Sequence, residues 1–167
     1  MTAAVTAPSR FAAWPGHAWL GLAARVYLGV VFLMACVHKI AHPEVFALDI
    51  AAYDFLPTEL VNLLAITLPW VELVAGVMII VGIRARAAAL LIAVMLVAFI
   101  IPLAVALVRG LDLSCGCFAP GVGEEDPISG WTLVRDGSWL VLCLYVLLLD
   151  RAPLGLDYLL GRRRAKT

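Results

Sequence analysis

Four apolar runs, each long enough to cross a lipid bilayer, constrain this chain more than any other feature. They cover roughly residues 18–40, 60–83, 86–108 and 131–149, and a hydrocarbon core takes about 20 mostly apolar residues of helix to span. With 64% hydrophobic residues in a chain of 167 and a mean hydropathy of +1.03, there is more apolar surface than a water-soluble domain of this size hides. The expected fold class is all-α, an integral membrane four-helix bundle. The first run is too long for the apolar part of a secretory signal, contains Arg25 and lacks a small-residue cleavage site, so it is expected to remain as the first span.

Charge placement then predicts orientation. Lysine and arginine in short connections favour the cytoplasmic side, and they gather at Arg84 and Arg86 between the second and third runs and at Arg162, Arg163, Arg164 and Lys166 in the tail. The other two connections hold Glu44, Asp49, Asp54 and Glu59, and Asp112, Glu124, Glu125 and Asp126; both are expected outside. This gives a cytoplasmic N-terminal segment over 1–17, a transmembrane domain over 18–150 and a basic cytoplasmic tail over 151–167. The tail reads as a topological signal beside lipid, with no nucleic-acid role. In "HPEVFALDIAAYDFLP", Val45, Leu48, Ala52, Phe55 and Leu56 recur at helical spacing, with Pro43 suited to a first turn and Pro57 to a stop. A short interfacial helix is expected there, its apolar side on lipid or on the bundle.

Two charges fall inside spans. Arg25 lies about two turns into the first, and Glu72 about two-thirds along the second, which runs the other way. Taking both spans to start at the membrane edge puts the two at similar depth, so an Arg25–Glu72 ion pair is expected, either fixing helix register or bordering a ligand cavity, because an unpaired charge in mid-membrane costs about 3 kcal/mol or more. Arg135 and Asp136, at the outer end of the fourth run, suit headgroup binding or a helix cap.

The stretch "RGLDLSCGCFAP" places Cys115 and Cys117 in the second outer connection, whereas Cys36 and Cys143 lie within spans and behave there as small apolar groups. Residues two apart in extended chain stand about 6.5–7 Å from each other, at the upper limit for a disulfide, so a Cys115–Cys117 bond needs a tight turn, which Gly116 permits. A small strained ring of this kind exchanges readily with attacking thiolates. Arg109 is placed to favour thiolate and Glu124, Glu125 and Asp126 to oppose it. A rival reading is metal handling: His38 and His42 share a helix face on the same side, and with the two cysteines complete a four-ligand set for zinc or a soft copper-type cation. No metal is expected on the leading reading.

The chain also resembles a known family over nearly all of residues 22–149. "LAARVYLGVVFLMACVHKIAHPEVFALDIAAYDFLP", with Arg25, Gly29, Lys39, Pro43, Phe46, Tyr53 and Pro57, is similar to the first helix and following segment of the MauE-like members of the DoxX group. "LPWVELVAGVMIIVG" resembles their second helix through Pro69, Glu72, Gly76 and Gly82, and "CGCFAP" with the later "TLVRD" resembles their cysteine loop and fourth-helix start. Ala119, where glycine is common, and the acidic "GEED" depart from that pattern. The resemblance implies a redox-associated bacterial inner-membrane protein that forms or shuffles disulfides with a periplasmic thioredoxin-like partner, in a group whose wider members are linked to quinone. On this reading Cys115 and Cys117 are the exchanging pair, Arg109 and Arg135 tune them, and Arg25 with Glu72 holds the bundle or a quinone-sized cavity. Two other classes stand beside it: a structural subunit of a larger respiratory or photosynthetic membrane complex with a static loop disulfide, and metal handling through His38, His42, Cys115 and Cys117.

Overall fold

In the computed structural model, residues 16–111, 128–150 and 155–156 are described. They form five helices in chain order: α1 (His17–Ala41), α2 (Pro43–Ala52), α3 (Thr58–Val81), α4 (Ala85–Val108) and α5 (Gly130–Leu148). Helices α1, α3, α4 and α5 coincide with the four apolar runs and are long and apolar enough to cross a membrane. The protein is an all-α four-helix membrane bundle with the short α2 joining its first two spans.

Local chemistry sets the ends. Helix α3 stops where Gly82 takes a left-handed conformation (φ 75°), and the N–H groups of Gly82 and Ile83 both donate to the Met78 carbonyl at 3.0 and 3.1 Å, a glycine closure of otherwise orphaned carbonyls. Gly110 (φ 65°) ends α4 in the same way, with Leu111 N–H donating to Ala106 at 3.1 Å. Helix α5 starts with a capping box: Ser129 Oγ accepts from Thr132 N–H, and Thr132 Oγ1 accepts from Ser129 N–H. Pro43 occupies the first turn of α2, where a missing N–H costs nothing. Both α3 and α4 continue through Pro69 and Pro102.

Helix α1 packs chiefly on α3, and α4 on α5, with α3 against α4 and α1 against α5 joining the two pairs. The α1–α3 contact is close at one point. A Cβ placed on Gly29 would sit 2.8 Å from the Gly76 carbonyl and run into Ile80, and one on Gly76 would sit 3.2 Å from the Gly29 carbonyl. Small residues of this kind let helix backbones approach in lipid, where dispersion replaces the hydrophobic drive. Inside, Leu28, Ala75, Ile79, Ala89, Ile92, Cys143 and Val146 are fully buried. Outside, the pattern of a soluble protein is inverted: Met34, Ile66, Val141 and Leu148 are 65%, 61%, 65% and 67% exposed, a belt that only lipid satisfies.

Helix α2 docks differently from the expected stripe. Phe46 and, just past the helix, Tyr53 are the residues it buries, while Val45, Leu48, Phe55 and Leu56 are exposed. Its packing on α3 turns Phe46 into the bundle and leaves the periodic apolar positions to the membrane surface. Phe55 and Leu56 lie beyond the helix, which ends at Ala52, so spacing alone overstated its length.

Candidate functional site

The sequence predicted an Arg25–Glu72 ion pair inside the membrane; among the described residues each of the two pairs with a different partner. Arg25 does not pair with Glu72. Its Nε stands 3.0 Å from Asp150 Oδ2, with the two side chains 0% and 1% exposed. Glu72 instead receives Lys39 Nζ, at 3.0 Å to Oε1 and 3.1 Å to Oε2. The reason is register. Helices α1 and α3 run antiparallel, and the start of α1 is not level with the end of α3 but runs past it. The Gly29–Gly76 contact puts Arg25 beside the far end of α3, where a Cβ on Gly82 would come within 2.6 Å of the guanidinium. Glu72 is ten residues earlier, about 15 Å along the axis.

Lys39, in the last turn of α1, is the centre of the more elaborate arrangement. Its ammonium is held by both Glu72 oxygens and lies 4.8 Å from the centroid of the Phe46 ring, a cation–π contact. It borders a small, half-open pocket of about 70 Å³ at the α2 end of the bundle. Phe32, Phe46, Phe99 and Trp139 give the pocket flat aromatic walls, Met95 and Leu96 an aliphatic one, and Lys39, Glu72 and Asp136 its polar groups. Asp136 is 1% exposed and accepts from Arg135 Nε at 3.0 Å. The Arg135 guanidinium covers the Trp139 ring at 4.9 Å, and Trp139 Nε1 donates to Tyr27 Oη at 3.2 Å. Each charge facing the pocket is thus met by an opposite one, as a low-dielectric site requires.

Tyr53 closes the same end. It is 7% exposed, and its hydroxyl is pushed up to about 12, first by burial and then by the Asp49 and Asp136 carboxylates. It stays a neutral phenol through the physiological range. Asp49, on α2, is itself held above the usual carboxylate range by burial, with His38 and Lys39 opposing the shift.

The remaining predicted residues are dispersed. Arg109 follows α4 and stands 5.8 Å from the centroid of the Phe55 ring. His38 and His42 stack with centroids 5.2 Å apart, and His42 Nδ1 lies 3.5 Å from Glu44 Oε1 at an exposed position. Among the described residues no three His, Cys, Asp or Glu side chains converge on a metal-sized site. Cys115 and Cys117 lie outside the described residues.

Sequence reasoning missed Lys39, Phe46, Trp139 and Asp150 as parts of these arrangements. Lys39 looked like a boundary cation near the end of the first run, and Asp150 follows the fourth run immediately, where a carboxylate reads as an edge residue.

Comparison with known proteins places this geometry. A family model described as methylamine utilisation protein MauE matches residues 17–149, a range that takes in all five helices. The methylamine utilization protein MauE of Paracoccus denitrificans is 34% identical over 113 residues, which are 67% of this chain and 59% of that protein. The protein of the same name from Methylorubrum extorquens is 31% identical over 132 residues, 77% of this chain and 69% of the relative. The matched part therefore spans somewhat under two-thirds of the Paracoccus protein's length. No solved structure matches significantly. The chain belongs to the MauE family of methylamine utilisation proteins.

Proposed function

We propose that this protein is an accessory membrane protein of methylamine utilisation that passes disulfide bonds to a periplasmic thioredoxin-like partner through Cys115 and Cys117. The observation that carries the reading is the sequence position of the C-x-C pair, between the end of α4 and the start of α5, with Arg109, just before it, beside Phe55 at the α2 end. That is also the end at which the buried polar residues gather. The charge distribution supports an orientation in a bacterial inner membrane with the α2 end in the periplasm and both termini in the cytoplasm, because Arg84 and Arg86 lie in the turn between α3 and α4, away from α2, and the sequence after α5 is rich in arginine. An oxidising compartment is where an exchangeable disulfide persists.

In exchange, a partner thiolate attacks one sulfur of the Cys115–Cys117 disulfide, a mixed disulfide forms, and the second partner thiolate resolves it, leaving the partner oxidised and the C-x-C pair as two thiols. Arg109, at the root of the loop, supports thiolate character electrostatically. The test is trapping. With Cys117→Ala or Cys115→Ala in whole cells, one variant should accumulate a reducible adduct with a periplasmic protein, and an impermeant maleimide should label the wild-type pair only after mild reduction. Absence of both adduct and external labelling defeats the proposal.

A further inference from the structure

Two basic segments far apart in sequence meet at one end of the bundle. The turn between α3 and α4 carries Arg84 and Arg86, both exposed. The chain that follows α5 comes to the same place: Asp150 is held by Arg25 at 3.0 Å, and Gly155 backs onto Gly82 so closely that a Cβ on Gly82 would come within 2.5 Å of its Cα. Beyond Leu156 the sequence continues through Arg162, Arg163, Arg164 and Lys166, against Asp157. These cations are covalently tethered at the turn that holds Arg84 and Arg86.

Charge at this end is not balanced by the described residues. Of their carboxylates Asp150 lies here, and it faces the buried Arg25 at 1% exposure rather than the surface. Glu72 lies about 15 Å deeper along α3 and holds Lys39, and the first turn of α4 has no acidic residue. Positive charge in surplus at a membrane surface attracts anionic lipid, each lysine or arginine near the surface raising the preference about fivefold.

The end also lies at headgroup depth. Trp19 and Leu20 in the first turn of α1, Val81 at the end of α3 and Leu90 on α4 are all exposed apolar residues, and a tryptophan among them marks the boundary between hydrocarbon and headgroups. The anion available at that depth is a lipid phosphodiester, which a guanidinium grips with two parallel N–H donors.

We infer that the α3–α4 turn, with the basic tail tethered to it, binds anionic phospholipid headgroups, Arg84 and Arg86 being the described contacts to the phosphate. The inference is independent of the thiol-exchange reading, since neither cysteine takes part.

The experiment is native mass spectrometry of the full chain released from micelles doped with equal phosphatidylcholine and phosphatidylglycerol, with the ratio of bound phosphatidylglycerol to phosphatidylcholine as the readout. Wild type should favour phosphatidylglycerol by about tenfold or more, and Arg84→Gln/Arg86→Gln should lower that ratio by about fivefold or more. Adding Arg162→Gln, Arg163→Gln and Arg164→Gln should bring it near one. Arg84→Lys/Arg86→Lys, which keeps the charge, should hold it within about threefold. Raising the ammonium acetate concentration before release should lower it through screening. Far-UV circular dichroism checks that the helices persist; should the glutamine pair lose them, Arg86→Glu alone should still lower the ratio by about fivefold or more. Soluble glycerol phosphate should leave the bound lipid in place, and displacement by it would assign the site to free phosphate esters instead. An equal ratio in wild type, or a preference untouched by Arg84→Gln/Arg86→Gln and lost only with the tail arginines, overturns the assignment.

Discussion

Breaking the Arg25–Asp150 pair provides the sharpest test of how charge is accommodated in this bundle. The two groups are 3.0 Å apart and inaccessible, and at an effective dielectric near 20 their attraction is about 5 kcal/mol, most of it offset by the desolvation of both ions. Removing one partner leaves the other buried without compensation, at a cost of about 3–5 kcal/mol. Asp150→Leu and Arg25→Met should therefore each lower stability by roughly that amount, and the combined Arg25→Met/Asp150→Leu should recover most of the loss. The measurement is a double-mutant cycle on reversible SDS unfolding in mixed micelles, followed by tryptophan fluorescence. A coupling energy of about 2 kcal/mol or more is expected. The parallel cycle between Arg25→Met and Glu72→Gln should be additive within about 0.5 kcal/mol, as for sites without a shared partner. Additivity in the first cycle, or strong coupling in the second, would refute the pairing and restore the assignment that equal helix starts imply.

Two further outcomes follow from close contacts and from titration. Gly29→Ala should cost about 1–3 kcal/mol and exceed Gly76→Ala, because the first methyl meets the Gly76 carbonyl at 2.8 Å and runs into Ile80, whereas the second meets the nearest backbone atom at 3.2 Å; equal losses in SDS unfolding would contradict this. Because the Tyr53 phenol is raised to about 12 in the folded protein against about 10 unfolded, the unfolded state alone loses that proton between those values. Stability is thus unaffected by this group below pH 10 and falls as pH rises from about 10 to 12. Tyr53→Phe should flatten that fall and remove the latest step in the phenolate absorbance near 295 nm; an unchanged titration counts against the buried placement.

The architecture was legible because its cause is one-dimensional: about 20 apolar residues in a row make a span whatever they pack against. Pro43 marked the start of α2 in the same local way. Pairing was not legible, since depth depends on register and register is set by the Gly29–Gly76 approach, a contact between residues 47 positions apart. Starting α1 and α3 at a common level joined Arg25 to Glu72 and left Lys39 and Asp150 as edge charges. Helix α2 shows the same limit: the 3.6-residue repeat picked out Val45 and Leu48, but packing on α3 chose Phe46. The pocket, built from residues of all five helices, has no local signature at all.

The placement of the polar links explains why the pocket lies where it does. The bundle consists of two well-packed pairs, α1 with α3 and α4 with α5, and the seam between α1 and α5 is the thinner contact. Three polar or aromatic links stitch that seam from the turn end upward: the His17 and Tyr145 rings at 5.8 Å, Arg25 with Asp150, and the Trp139 hydrogen bond to Tyr27. In lipid, where apolar surfaces gain little from meeting one another, such links supply specificity that oily packing does not. Above Tyr27 the links change partners. Lys39 turns to Glu72 on α3, and Arg135 to Asp136 on its own helix. At that level Phe32, Lys39 and Asp136 line the pocket.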